Sequence, residues 1–346
     1  MRALTISATG SLDCVEFRKD IVPPTLPASG HVRVRLRAAP LNHLDLWTIR
    51  GLPGVSITPP WVIGADGTGV IADVSADVIS LHRGDRVVVN PGLSCRQCEY
   101  CRAGEHPLCV RFRVLGEHVP GTFADELVVP ATNVRPIPES VSDTDASAFG
   151  LAAMTAWRML VTRAQVKASD EVLIWGIGGG VAQAALLIAK ARGARVWVTS
   201  GSDAKLERAR AMGADELINH TGVDVGREVR ARTGKRGVNV IVDSIGAATW
   251  EQSLGALGRG GRLVTCGGTS GPALQTDVRR LFWNQWTIMG STMGSDADFD
   301  AIVGELVAGR LSLPVDSAFP LEHGRDALAR LQSGAQFGKI VLQIGA

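Results

Sequence analysis

The sequence predicts an α/β protein of two domains, a β-rich domain beside a doubly wound parallel sheet. Three observations predict it. The chain has 346 residues, more than one hydrophobic core usually supports. Its first part, to about Pro130, reads as short Val-rich segments bounded by Gly, Pro, Asn or Asp, whereas from about Ser147 strand-like segments alternate with helical ones. Its 40 glycines gather at the ends of those later strands, where a parallel sheet turns into helices.

In order, the strands expected in the first part are His31 to Ala38, Gly67 to Val74 and Asp85 to Val89. In the second part they are Glu171 to Trp175, Arg195 to Thr199, Glu216 to Ile218, Val238 to Val242, Arg262 to Cys266 and Trp286 to Gly290. Helices are expected between them at Val181 to Arg192, Lys205 to Met212, Val225 to Thr233 and Thr249 to Leu257, which makes a parallel sheet the natural assembly. An amphipathic segment (Phe299 to Gly309), a helix (Gly324 to Gln332) and a last strand (Lys339 to Ile344) follow, and this tail is expected to rejoin the first domain. The expected domains are therefore 1–148 with 291–346, and 149–290.

Hydrophobic residues make 45% of the chain and charged residues 20%, and a net charge of +2 gives no broad basic field for nucleic acid. The longest apolar runs are too short to cross a bilayer. The first thirty residues show no charged, apolar and cleavable leader pattern, so the expectation is a cytoplasmic protein with reduced thiols.

Cys95, Cys98, Cys101 and Cys109 are spaced C-x2-C-x2-C-x7-C. Two disulfides are the alternative, but in a reducing compartment this spacing folds four thiolates around one tetrahedral zinc. Four sulfur ligands leave no open position for water or substrate, so the expected Zn2+ is structural. Cys14 and Cys266 stand alone, as small buried apolar residues usually do.

The strand ending at Trp175 runs into Gly176-Ile-Gly178-Gly179-Gly180-Val181 and then a helix, the order of a dinucleotide-binding turn. Backbone N–H groups there approach a pyrophosphate at the positive end of a helix. Val181 stands where a third glycine is usual, so either the helix packs differently or the turn is shifted by one residue. The later strand ends, Asp243-Ser-Ile-Gly246 and Gly267-Gly268, with Ser291 and Thr292, should edge the cofactor pocket at the carboxyl end of the sheet. The second strand ends in Thr199, Ser200, Gly201 and Ser202 instead of the usual acidic residue, and Lys205 and Arg208 follow. That pattern favours NADPH over NADH, with Asp203 read as a helix N-cap or a second ribose contact.

The β-rich first domain, the four-cysteine lobe, Gly64-Ala-Asp-Gly-Thr-Gly69, Ala39-Pro-Leu-Asn-His-Leu-Asp-Leu-Trp47, the glycine turn and Phe337-Gly-Lys-Ile-Val-Leu342 together resemble the medium-chain dehydrogenase/reductase superfamily over essentially the whole chain. The superfamily includes zinc alcohol dehydrogenases and quinone reductases. The resemblance implies a GroES-like domain beside a Rossmann domain, an active site in the cleft between them, a small-molecule acceptor, and a homodimer or homotetramer.

In the zinc alcohol dehydrogenases the catalytic metal takes ligands at the positions matching Asn42, Ala65 and Leu151. An amide, a methyl and an isobutyl group do not assemble a zinc site. Asn42 with Asp45 instead resembles the N-x-x-D segment of zinc-independent quinone reductases. Without a catalytic metal, hydrogen-bond donors must stabilise charge on the acceptor oxygen. Asn42 is the first candidate to orient cofactor or acceptor, and by resemblance His43 lies near the pyrophosphate and is a candidate proton donor. Asp45 is expected to brace local backbone or ribose, Asp66 to orient His43 or bind loop amides, and Lys339 to meet a phosphate or sit exposed at a strand end. A metal site built from His43, Asp45 and Asp66 is a rival reading. The leading expectation is an NADPH-dependent reductase of quinones, enones or related carbonyl compounds. An NAD(P)-dependent alcohol dehydrogenase and a non-catalytic NADPH-binding sensor are the alternatives.

Overall fold

The computed structural model describes residues 1–345, and they divide into two compact units, Met1–Ala152 with Gly294–Ala346, and Ala153–Met293. The expected boundaries were 148/149 and 290/291.

The first unit is built on a seven-stranded sheet. From one side the strands run Val134–Pro136, Arg86–Val89, Thr68–Val74, His31–Pro40, Lys339–Gln343 and Val315–Pro320, with Glu126–Pro130 also paired to the central His31–Pro40 strand. That central strand shows why it forms. Val32, Val34 and Leu36 alternate inward, each at most 1% exposed, while Arg33 and Arg35 carry charge on the other face. Burying such a side chain contributes roughly 1.5–3 kcal/mol, and these three join Ile6, Ile63, Ile71, Leu328 and Leu342 in one core.

As expected, the tail rejoins this unit. Lys339–Gln343 lies antiparallel to His31–Pro40, pairing Val341 with Pro40 and Gln343 with Ala38. This register brings Ile340 beside Leu41, whose N–H reaches the Ile340 carbonyl at 2.8 Å. Lys339 is thereby carried to the start of the helix His43–Arg50.

The second unit is a six-stranded parallel sheet in the order Glu216–Asn219, Arg195–Ser200, Glu171–Ile174, Val238–Asp243, Leu257–Thr265 and Thr287–Gly290. Every pairing is parallel, and the order reverses beside Glu171–Ile174, as in a doubly wound dinucleotide-binding sheet. Its inner strands are apolar on both faces, as helices covering both sides demand. The strand expected from Arg262 begins earlier, at Leu257, which pairs with Val238; the register then shifts through a glycine stretch, Gly260 at a φ of +66°, where no side-chain periodicity is visible. Among the described residues no helix is long and apolar enough to cross a membrane.

Candidate active site

In the first unit, Asn42 is the N-cap of the helix His43–Arg50, and the Asp45 carboxylate accepts its backbone N–H at 2.7 Å. The predicted bracing role of Asp45 therefore has a local cause, half of a capping box. The Asn42 side chain is tied at both ends. Its Oδ1 accepts from Lys339 Nζ at 2.6 Å, and its Nδ2 donates to Asp66 Oδ2 at 3.0 Å. The other Asp66 oxygen accepts the backbone N–H of Leu151 at 2.8 Å, and Lys339 also donates to the Leu41 carbonyl at 2.7 Å.

This network is buried: Asn42 is 7% exposed, Lys339 4%, Asp45 2% and Asp66 1%. Burial pushes the Asp45 carboxyl up to about 7, against the pull of the Asn42 N–H and the Lys339 charge. It pushes Asp66 up to about 6, opposed first by Lys339 and then by the Asn42 amide. The Lys339 ammonium is lowered by burial, and Asp66 and Asp45 counter this. His43, next to Asn42 on an exposed position, is lowered by the protein packed about its ring, then by the charges of Lys339 and Arg50.

Three expectations are corrected here. Lys339 is neither exposed at a strand end nor turned to a phosphate, because its strand pairs in a register that buries it against Asn42. Of the two roles expected for Asp66, it takes the one that binds a backbone amide, that of Leu151, and it holds Asn42 rather than His43. The Asn42 amide is consumed by protein partners, so it serves as a bridge between Lys339 and Asp66. Sequence reasoning also missed Gly150. A Cβ there would lie 2.8 Å from Asp66 Oδ1, so only glycine lets the helix Asp143–Trp157 come close enough for Leu151 to donate.

The four-cysteine lobe forms as its spacing predicts. The four sulfurs lie within 4.8 Å of one another, all cysteines are free of disulfides, and this is the single cluster of three or more His, Cys, Asp or Glu groups able to hold a cation among the described residues. The Cys98–Cys101 and Cys95–Cys101 sulfurs are 3.5 and 3.9 Å apart, close to the roughly 3.8 Å edge of a tetrahedron with Zn–S bonds of about 2.3 Å. Without a cation the thiols do not ionise together. The Gln97 and Cys98 N–H groups draw Cys95 down to about 5, while burial pushes Cys101 up to about 11. A divalent ion holds all four as thiolates, so the donor set fits structural zinc. Arg96 and His106 of the lobe both meet Asp296 at the start of the helix Asp296–Val307.

In the second unit, Gly176 has a φ of +69° and donates to Thr199 Oγ1 at 3.1 Å, and Ile177 donates to the Thr199 carbonyl. The chain then passes Gly178 to Gly179, the N-cap of the helix Gly180–Ala191. Gly179 has no side chain with which to cap, so first-turn N–H groups are left for an anion. The turn is shifted by one residue. Val181 is half-buried, and the next residue, Ala182, 4% exposed, is the small one packed in the first turn of the helix.

Gly267, Gly268, Ser291 and Thr292 stand just beyond the carboxyl ends of Leu257–Thr265 and Thr287–Gly290. Ser291 Oγ is buried there with no protein partner, an orphan that a polar group of a bound nucleotide would satisfy. These features fit a nicotinamide dinucleotide. Asp243 is corrected from a ligand contact to a support. It is fully buried, its oxygens accept from Ile245 N–H, Gly246 N–H, Thr249 Oγ1 and Ser253 Oγ, and Ser253 accepts the Trp175 indole N–H. Ser202, not Asp203, is the N-cap of Asp203–Ala211, its Oγ facing the backbone N–H of half-buried Lys205. Ser200 is buried, and its hydroxyl accepts from Ser202 N–H. Asp203 turns to Asn219, which donates to it at 2.6 Å.

A GroES-like fold with a four-thiolate lobe and a doubly wound sheet with a dinucleotide turn define the class of medium-chain dehydrogenases. Residues 28–139 match the alcohol dehydrogenase GroES-like domain and residues 180–308 the zinc-binding dehydrogenase domain. The chain is 31% identical to an alcohol dehydrogenase of Geobacillus stearothermophilus over 330 residues, 94% of this chain and 95% of that one. It is 26% identical to the human quinone oxidoreductase, covering 99% and 97%. Among solved structures, an NAD-dependent alcohol dehydrogenase superposes with a TM-score of 0.95 at 42% identity, each chain fully covered. The chain belongs to the medium-chain dehydrogenase/reductase superfamily, as a zinc-binding alcohol dehydrogenase-like member and an NAD(P)-dependent oxidoreductase.

Proposed function

We propose that the protein reduces quinones, enones or related activated carbonyl compounds with NADPH, without a catalytic zinc. The observation that carries this reading is the donor set. Where relatives place a catalytic metal, this chain offers an amide bonded at both ends, the methyl of Ala65 and the apolar Leu151. Bound at the Gly176–Gly180 turn and the strand ends near Ser291, the nicotinamide supplies the hydride. The protein orients the reactants and receives the charge that then appears on the acceptor oxygen. His43 suits that task. It is exposed, and its lowered pKa keeps it neutral at pH 7, so one ring N–H is available to donate to the oxygen. Asn42, Asp45 and Asp66 hold the start of its helix in place.

NADPH is favoured because the strand Arg195–Ser200 runs into Gly201 and Ser202 with no acidic residue at its end, and the exposed Asp203 beyond them is engaged by Asn219. A homodimer or homotetramer is part of the reading. The strand Thr287–Gly290 ends its sheet unpaired, and the neighbouring helix exposes Phe282 and Trp283 by 63% and 69%, a face that a second copy covers. A cytoplasmic location accords with six unpaired cysteines.

A second reading, an NAD-dependent alcohol dehydrogenase, is favoured by the similarity to a solved NAD-dependent alcohol dehydrogenase at 42% identity. Elemental analysis of protein purified without chelator, with NADPH and NADH oxidation over a panel of quinones, enones and aldehydes, separates the two. About one zinc per chain and NADPH-linked quinone or enone reduction is the expected result. Two zinc equivalents with NAD-linked alcohol oxidation would replace the first reading by the second. Cofactor binding with no turnover of any acceptor would leave a sensor.

A further inference from the structure

Lys339 is a buried cation joined to residues far away in the sequence. Its bond to Asn42 spans 297 positions, and the chain of bonds continues from Asn42 to Asp66 and from Asp66 to the Leu151 amide. These bonds run through the segments that a catalytic metal cross-links in zinc-dependent relatives.

The orientation of each group is forced. An ammonium only donates and a carboxylate only accepts, so the amide between them has one allowed flip, Oδ1 to Lys339 and Nδ2 to Asp66. The opposite flip sets NH2 against NH3+ and oxygen against oxygen. A dication could not share this space, because the ammonium lies 2.6 Å from the side chain that replaces the first metal ligand. Two carboxylates, Asp45 and Asp66, supply the opposing charge that a buried ammonium requires.

Resting on the metal-free reading above, we infer that Lys339 is a positioning residue that takes over the cross-linking role of the absent catalytic metal. Through Asn42 and Asp66 it ties the start of the helix His43–Arg50, the Gly64–Asp66 turn and the helix Asp143–Trp157 into one arrangement, and so fixes where His43 presents its ring. Lys339 acts through Asn42 rather than on substrate.

The test compares full-length Lys339→Met with the double variant Lys339→Met/Asp66→Asn. It follows kcat, KM for the acceptor, Kd for NADPH by fluorescence, thermal midpoint and zinc content. Lys339→Met alone leaves two buried carboxylates without their cation, so it is expected to melt early. The double variant removes one of those charges and is expected to regain midpoint without regaining turnover. In both, kcat is expected to fall by about 10- to 100-fold while NADPH affinity changes by less than about threefold and zinc stays near one. If Lys339→Met does not fold, the double variant alone decides.

Wild-type kcat in the double variant would overturn the inference. So would a rise in the NADPH Kd of about tenfold or more with kcat unchanged, which would make Lys339 a cofactor ligand. These outcomes are distinct from failure of the functional reading. A second zinc or alcohol oxidation would appear in the unmodified protein, whatever Lys339 does.

Discussion

The four-cysteine lobe and the Asn42 network occupy two places where this superfamily holds a metal, and they are built by opposite means. The lobe gathers four sulfurs from Cys95 to Cys109, a local stretch of chain whose donor set fits zinc. The network gathers one ammonium, one side-chain amide and two carboxylates from three distant segments, with the Leu151 backbone N–H from a fourth, and its groups satisfy one another. The lobe's donor set calls for an imported cation, whereas in the network the chain's own lysine faces the carboxylates. The contrast teaches that a family can keep its backbone while changing what holds a site together.

The largest effect that sharpens this contrast is on the lobe. Cys101→Ser removes a buried ligand, and loss of the ion is expected to lower the thermal midpoint by roughly 10 °C or more, with zinc content falling from about one to near zero. Retention of a full zinc equivalent would show that the ion is held elsewhere and would break the comparison.

The next effect concerns pH and belongs to the network alone. Asp45 is raised from 3.8 to about 7 and Asp66 to about 6, so the folded protein binds their protons more tightly than the unfolded chain does. The associated stability is fully present below about pH 4 and is lost as pH rises toward about 7. For one proton the slope is at most about 1.4 kcal/mol per pH unit. Asp45→Asn should flatten the urea-derived stability curve between pH 4 and 7 relative to wild type. Superimposable slopes would mean that Asp45 is ionised throughout.

The smallest expected effect is at Gly150. Gly150→Ala places a methyl against Asp66, so overpacking should cost about 1–3 kcal/mol, seen as a lower denaturation midpoint, and turnover should fall with it. An unchanged midpoint would show that Asp66 can move aside without consequence, and the network would be looser than the lobe.

The two regions also differ in how far the sequence betrays them. The lobe was legible because its ligands are local and thiol chemistry leaves few alternatives at such spacing. The doubly wound sheet was legible too, since strands and helices alternate and glycines mark the dinucleotide turn, though Val181 disguised a one-residue shift. The GroES-like domain came from resemblance over several segments, among them Ala39 to Trp47 and Gly64 to Gly69, and the same resemblance led Asn42, Ala65 and Leu151 to be read as unsuited to a catalytic metal. What stayed hidden was long-range. Lys339 meets Asn42 only through the strand register of Val341 with Pro40, and no periodicity reports a register between segments so far apart. Asp243 looked like a ligand because it ends a strand, yet Thr249, Ser253 and Trp175, which bury its carboxylate, lie on other elements. Gly150 carried no signal, because the close approach it permits exists only after folding.

The placement of Lys339 on the last strand has a consequence for biosynthesis. A ribosome adding about 5–20 residues per second reaches Lys339 some 15–60 seconds after Asn42, across the 297 positions that separate them. Throughout that interval Asp45 and Asp66 have no ammonium to face, and the central strand His31–Pro40 lacks its neighbour Lys339–Gln343. Until that strand arrives neither carboxylate has its cation to face, so the Asn42 network is expected to be the last part of the first unit to close.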